Sequence, residues 1–278
     1  MVSNFHLPPM GYGPGSQPSE DGKELEYMPM PQDMRTYTTH FPEIEVTSDF
    51  APAMTLLGQI ADATEQMAAE GGTVEFDLSQ LDAANRGLIA ETMGEGEVAM
   101  RMHGIPAVAA QESVFAGIWG LKGADIDKIE VGAAPSLAQS RAHAPRRAGT
   151  GPATPQPAGV VNAPPLAVEL FDKSAGYQTG DTPHVVNLTL LPHTEQDLAW
   201  LDSVLGQGSV EILSRGYGNC RLSATALPHV WRVQFFNSMD TLILDTFEVT
   251  LMPEVALAAK EDLIDSAERL REVMEAIR

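Results

Sequence analysis

Cysteine is nearly absent from this chain of 278 residues: Cys220 is the only one. An intrachain disulfide is therefore impossible, and so is a metal cage of several thiolates drawn from one chain. Long apolar runs are also missing. No stretch approaches the roughly 18 to 20 apolar residues that a membrane span needs. Met1-Val2-Ser3-Asn4-Phe5-His6 offers neither the basic segment nor the apolar core of an export signal. A cytoplasmic location is the expectation.

Basic residues are scarce. Lys and Arg number 17 against 38 Asp and Glu, for a formal net charge of -21. Such a chain is repelled by phosphate backbones and by anionic lipid surfaces, so neither nucleic acid nor a membrane is expected as a partner. A basic protein face or a metal complex would be attracted. The same acidity also serves plain solubility.

Catalytic signatures are missing too. Seven histidines occur, none of them paired at the i, i+4 spacing of a helical metal site, and there is no His-Glu-x-x-His. No Gly-x-Ser-x-Gly elbow, Walker loop or dinucleotide fingerprint is present. Gly11, Gly13 and Gly15 have no strand before them and cradle nothing. Asp240, Asp245 and Glu248 are split between strand faces by alternation, and Glu261, Asp262 and Asp265 fall on the solvent side of a helix. No catalytic residue and no metal site is expected.

What is present has a clear layout. Residues 1–50 are broken by proline and glycine, lack an apolar period, and read as a disordered or extended tail. Residues 51–131 read as a first α+β unit. It opens with a helix carrying Met54, Leu57, Ile60, Ala63 and Met67 and closed by Gly71-Gly72. Residues 132–183 hold Pro135, Pro145, Pro152, Pro155, Pro157, Pro164 and Pro165 among alanine and glycine, and read as a linker. Residues 184–278 read as a second α+β unit. Its strand-like runs are Val185–Leu190, Val210–Ile212, Arg221–Thr225, Val230–Phe236 and Leu242–Leu251. A final helix is predicted from about Glu254 to Ile277, with Pro253 at its start.

The two units resemble each other. Val74–Val98 aligns without gaps on Val186–Val210, and the helix ends match: Gly94-Glu95-Gly96-Glu97-Val98 against Gly206-Gln207-Gly208-Ser209-Val210. Glycine just past a helix takes the left-handed cap conformation. Thr194 with Asp197 resembles a capping box, and Asp82 occupies the equivalent cap. Further on, Val114-Phe115 falls near Val230-Trp231, and Ile129-Glu130-Val131 with Pro135 falls near Phe247-Glu248-Val249 with Pro253. The expected fold is α+β: two similar lobes of strand, helix and antiparallel meander related by internal duplication, with a long C-terminal helix.

One segment carries unusual chemistry: Ser214-Arg215-Gly216-Tyr217-Gly218-Asn219-Cys220-Arg221. Arg215 and Arg221 flank a lone thiol and could favour its thiolate, the form that binds metal. The alternative is a tight hairpin with Cys220 as a small core residue. The candidate contact residues are Cys220, Tyr217, Arg215 and Arg221.

The strings Gly216-Tyr217-Gly218-Asn219-Cys220-Arg221-Leu222-Ser223-Ala224-Thr225, Val230-Trp231-Arg232-Val233-Gln234 and Asn237-Ser238-Met239-Asp240-Thr241-Leu242-Ile243-Leu244-Asp245-Thr246 stand in the same region. So do Val249, Pro253-Glu254-Val255-Ala256-Leu257-Ala258-Ala259, Glu261-Asp262 and Asp265-Ser266. Together they resemble the C-terminal domain of the HupH/HyaF family, which includes HoxV, over roughly residues 190–278. The tail from Gly13 to Pro31 is similar to that family as well. The resemblance implies an accessory, non-enzymatic role in building [NiFe] uptake hydrogenases. It implies action on the large-subunit precursor, together with HypC-like chaperones, while iron carrying cyanide and carbon monoxide, Fe(CN)2CO, is assembled or delivered. It brings no catalytic residues and no resident cofactor. A carrier that holds iron transiently through Cys220 is the alternative.

Overall fold

The computed structural model describes residues 48–216 and 218–277. The tail expected over residues 1–50 thus falls almost entirely outside the described residues, and Ser48–Phe50 form a short 3-10 turn.

Helix α1 (Ala51–Glu70) buries Leu57, Ile60, Ala61, Thr64, Met67 and Ala68 along one stripe. It has proline in its first turn, where a missing N–H costs nothing. Gly71 ends it at φ 74, its N–H returning to the Met67 carbonyl. Then follow β1 (Thr73–Asp77), α2 (Ala83–Met93), β2 (Val98–Met102), β3 (Val108–Glu112), β4 (Ile118–Gly123) and β5 (Ile126–Gly132). The short helix α3 (Ser136–Arg141) comes next. The second half runs α4 (Ala163–Gly176), β6 (His184–Asn187), α5 (Glu195–Leu205), β7 (Val210–Ser214), β8 (Asn219–Ala224), β9 (Val230–Phe236), β10 (Leu242–Val249) and α6 (Lys260–Ala276).

All ten strands form one antiparallel sheet in the order β1-β5-β4-β3-β2-β7-β8-β9-β10-β6. Read outward from the centre, both halves have the same strand order. They meet at β2 and β7, where Met100 pairs with Ile212, Val98 with Ser214 and Met102 with Val210. Aligning Val98 with Val210 sets Met100 on Ile212 and Met102 on Ser214. The pairing therefore maps onto itself when the halves are exchanged, about a point between Met100 and Ile212.

The turns repeat as well. Ser113 Oγ donates to the Phe115 carbonyl and accepts from the Phe115 N–H. Thr225 Oγ1 does the same with Leu227. Gly117 stands at φ 81 and His229, at the matching place, at φ 63. Trp119 Nε1 donates to the Gly132 carbonyl at 3.0 Å, and Trp231 Nε1 to that of Leu251 at 3.3 Å. These equivalences correct the extended alignment: Trp119, not Phe115, is the counterpart of Trp231. Pro135 and Pro253 do correspond, each opening a short turn with φ near -58 and -59.

The proline-rich stretch 132–183 is not an open linker. It contains α3 and α4, and Ala134, Ala138, Ala142, Ala163, Ala167 and Leu170 are buried. Helix α4 begins at its prolines, where the first turn tolerates them. Nor are the halves separate lobes, since one core cluster joins Met100 and Leu121 to Ile212, Cys220 and Val233. Two smaller corrections concern element ends. Leu188–Leu190 form a 3-10 turn rather than strand. Pro253 opens another, so the last helix starts only at Lys260. There it buries Leu263, Leu270, Val273 and Met274 in the same cluster as α1.

Candidate functional site

The hairpin between β7 and β8 holds the residues singled out by sequence. Gly218 takes φ 97, a left-handed conformation that a tight turn demands and glycine accepts freely. Tyr217 lies outside the described residues. Cys220 is only 2% exposed and packs in the cluster that contains Trp231. Burial pushes its thiol up to about 12, and the Glu248 carboxylate adds to the shift. Arg221 follows it on an alternating strand and is exposed on the opposite face, its guanidinium 4.7 Å from the Phe236 ring centroid. Arg215 is exposed, its N–H donating to the Glu97 carbonyl at 3.1 Å. The expectation that the arginines favour a thiolate is therefore corrected: Arg221 faces away from the sulfur, and the thiol's acidity is weakened. Among the described residues, no three of His, Cys, Asp and Glu cluster as metal ligands would.

The more open surface lies on the other face of the sheet. Pairing aligns Lys122, Ala109 and Arg101 in one row across β4, β3 and β2. The next row on that face is Gly120, Gln111 and Ala99. Ile89 and Met93 of α2 wall one side. The result is a groove of about 470 Å³ with a floor of small residues and a charged rim, where Arg86, Arg101, Lys122 and Lys128 outnumber Glu95 and Asp127. Gln111 does not intrude, because its amide donates to the Gly96, Val98 and Glu112 carbonyls.

The matching place beside α5 is half that size, about 230 Å³. Where the first half has Gly120 the second has Arg232, whose Nε and Nη2 bond Asp245 at 3.0 and 2.6 Å. Where the first has Ala99 the second has Glu211, bonded to Arg146 Nη1 at 2.6 Å. Thus one copy of the groove is filled by its own ion pairs and the other is open. Sequence reading missed both. The floor comes from single small residues on three strands, and each looks unremarkable in its own segment.

Residues 160–277 match the family described as "HupH hydrogenase expression protein, C-terminal conserved region". That region begins just before α4, inside the stretch read as a linker. The whole chain is 64% identical to the hydrogenase expression/formation protein HupH of Rhodobacter capsulatus, with 100% of each chain covered. It is 34% identical to the hydrogenase-1 operon protein HyaF of Escherichia coli K12, over 97% of this chain and 95% of that one. A solved structure, the hydrogenase expression protein HupH from Thiobacillus denitrificans, is 28% identical with a TM-score of 0.39, covering 41% of this chain and 96% of that one. None of the described helices is long and apolar enough to cross a membrane. With likeness of this degree along its full length, the chain belongs to the HupH family of hydrogenase expression/formation proteins.

Proposed function

We propose that this protein is a non-enzymatic binding scaffold in [NiFe]-hydrogenase maturation. It holds the large-subunit precursor, together with HypC-like chaperones, while the Fe(CN)2CO unit is assembled or delivered to it. The observation that carries this reading is the end-to-end likeness to the R. capsulatus hydrogenase expression/formation protein. The open groove and strong acidity suit a protein partner better than a small substrate. Iron carriage through Cys220 is the less favoured reading, since a buried thiol whose acidity is weakened makes a poor ligand. We also infer that the two halves arose by internal duplication, a reading supported by their shared strand order, matched turns and self-mapping central register.

Co-purification of tagged protein from cells that accumulate unprocessed large subunit tests the scaffold. A complex that weakens as salt rises is expected, because exposed charges are screened within about 8 to 10 Å at physiological ionic strength. Absence of the precursor from the purified material at every salt concentration defeats it.

A further inference from the structure

Half of the described Lys and Arg side chains in this acidic chain pair with carboxylates. Arg86 pairs with Asp127, Lys128 with Glu75, Arg147 with Asp202 and Arg271 with Asp62 and Glu65. Arg101 and Lys122 are among those that do not. Both are exposed, and neither side chain has a hydrogen bond or ion pair among the described residues. What sets these two apart is their place: both stand on one row of the sheet, at the rim of the groove.

Ala109 lies between them in the row, with Ala99 and Gly120 in the row beside it. In the other half Glu211 and Arg232 stand where Ala99 and Gly120 stand here, and each bonds within the chain. The open half thus offers an apolar trough where the closed half supplies its own charged plug.

We propose that this groove docks an acidic segment of a partner protein. A bulky apolar side chain rests on Ala99, Ala109 and Gly120, and flanking carboxylates reach Arg101 and Lys122. Two strand spacings separate the cations by about 10 Å at the backbone, which suits two carboxylates on one segment better than a single small anion. Two helical turns span about the same length. Only the identity of the partner rests on the scaffold reading; the chemistry of the groove does not.

The test uses the full chain and a fluorescein-labelled peptide of pattern Glu-x-x-Leu-x-x-x-Glu, followed by fluorescence anisotropy at low salt. Binding to the native protein is expected. The Arg101→Glu/Lys122→Glu variant should weaken it roughly tenfold. Ala109→Trp, which fills the trough without changing charge, should weaken it as well. Peptides with Lys for Glu, or Ser for Leu, should bind poorly. Lys173→Glu, exposed on α4, should leave binding unchanged, and circular dichroism checks that each variant is folded. The proposal is overturned if the acidic peptide does not bind, if the lysine peptide binds as well, or if both groove variants bind like the native protein. Co-purification of the large-subunit precursor is run alongside. Peptide binding without precursor capture sinks the scaffold reading and leaves the groove standing. Equal capture of precursor by the native protein and the charge-reversed variant removes the groove from that contact.

Discussion

Glu112 is buried at the end of β3, where the other half carries Ala224. Burial pushes its carboxyl up to about 7, with the charges of Glu97 and Asp262 adding to the effect, against the Gly117 N–H that donates to its Oε1. Unfolded, it ionises near 4.5. Between these values the unfolded chain has released a proton that the folded protein still holds. The stability this group contributes is therefore complete below about 4.5 and is lost as pH rises through about 7. Glu112→Gln keeps the acceptor for Gly117 and removes the titration. Urea midpoints measured against pH should flatten over that window in the variant and rise above native values at pH 8, by roughly 2 to 3 kcal/mol. An unchanged profile would show that Glu112 ionises freely. Cys220 gives a second expectation. The native thiol should alkylate slowly and the urea-unfolded thiol quickly, because its sulfur is buried. Cys220→Ser should cost about 1 to 3 kcal/mol, through a buried hydroxyl, yet preserve hydrogenase activity in the cell. Fast native alkylation together with lost activity would promote the carrier reading. Sequence alone left the role of Cys220 open, because alternation cannot say which face of a strand is covered.

At the scale of elements, much was legible where local chemistry decides. The stripe of α1, the glycine caps and the capping box at Thr194–Asp197 follow from residue spacing, and the structure has them. Asp197 does more than the spacing suggested. Its Oδ1 accepts from the Val161, Asn162 and Ala163 N–H groups while Oδ2 accepts from Thr194. Burial alone would raise its pKa, but those backbone donors together hold it well below the usual carboxylate range. One side chain thus caps both α5 and α4, a contact between distant segments that no local pattern encodes. For the same reason the proline-rich stretch misleads. Its alanines look like linker composition until α3 and α4 bury them, and the Arg146 and Arg147 N–H groups donate to the Gln207 carbonyl. Limited proteolysis within that stretch should therefore cut only the exposed runs 156–159 and 178–183, and slowly. The nicked halves should co-elute on gel filtration, held by β2 and β7. Fragments that separate under native conditions would contradict a shared sheet.

For the whole molecule, the common sheet means a common fate. Trp119 and Trp231 report from opposite halves, and both lie in the cluster that spans the junction. Denaturation followed by fluorescence in Trp119→Phe and in Trp231→Phe should show, for each variant, one transition coincident with its own far-ultraviolet circular dichroism. Two separated transitions in either variant would mean the halves fold alone. The likeness of the two halves was legible in the sequence, but not that β2 and β7 join them in one sheet, because pairing across that junction depends on register rather than composition. That junction also bears on birth at the ribosome. In each half the earliest strand pairs with the last, so β1 waits for β5 before it can settle. On the side of β2 away from β3, Val98–Met102 has open backbone groups until Val210–Ser214 emerges to cover them. The nascent chain therefore lengthens by more than a hundred residues with that edge uncovered, which is the stretch of synthesis in which pairing with another chain is to be avoided.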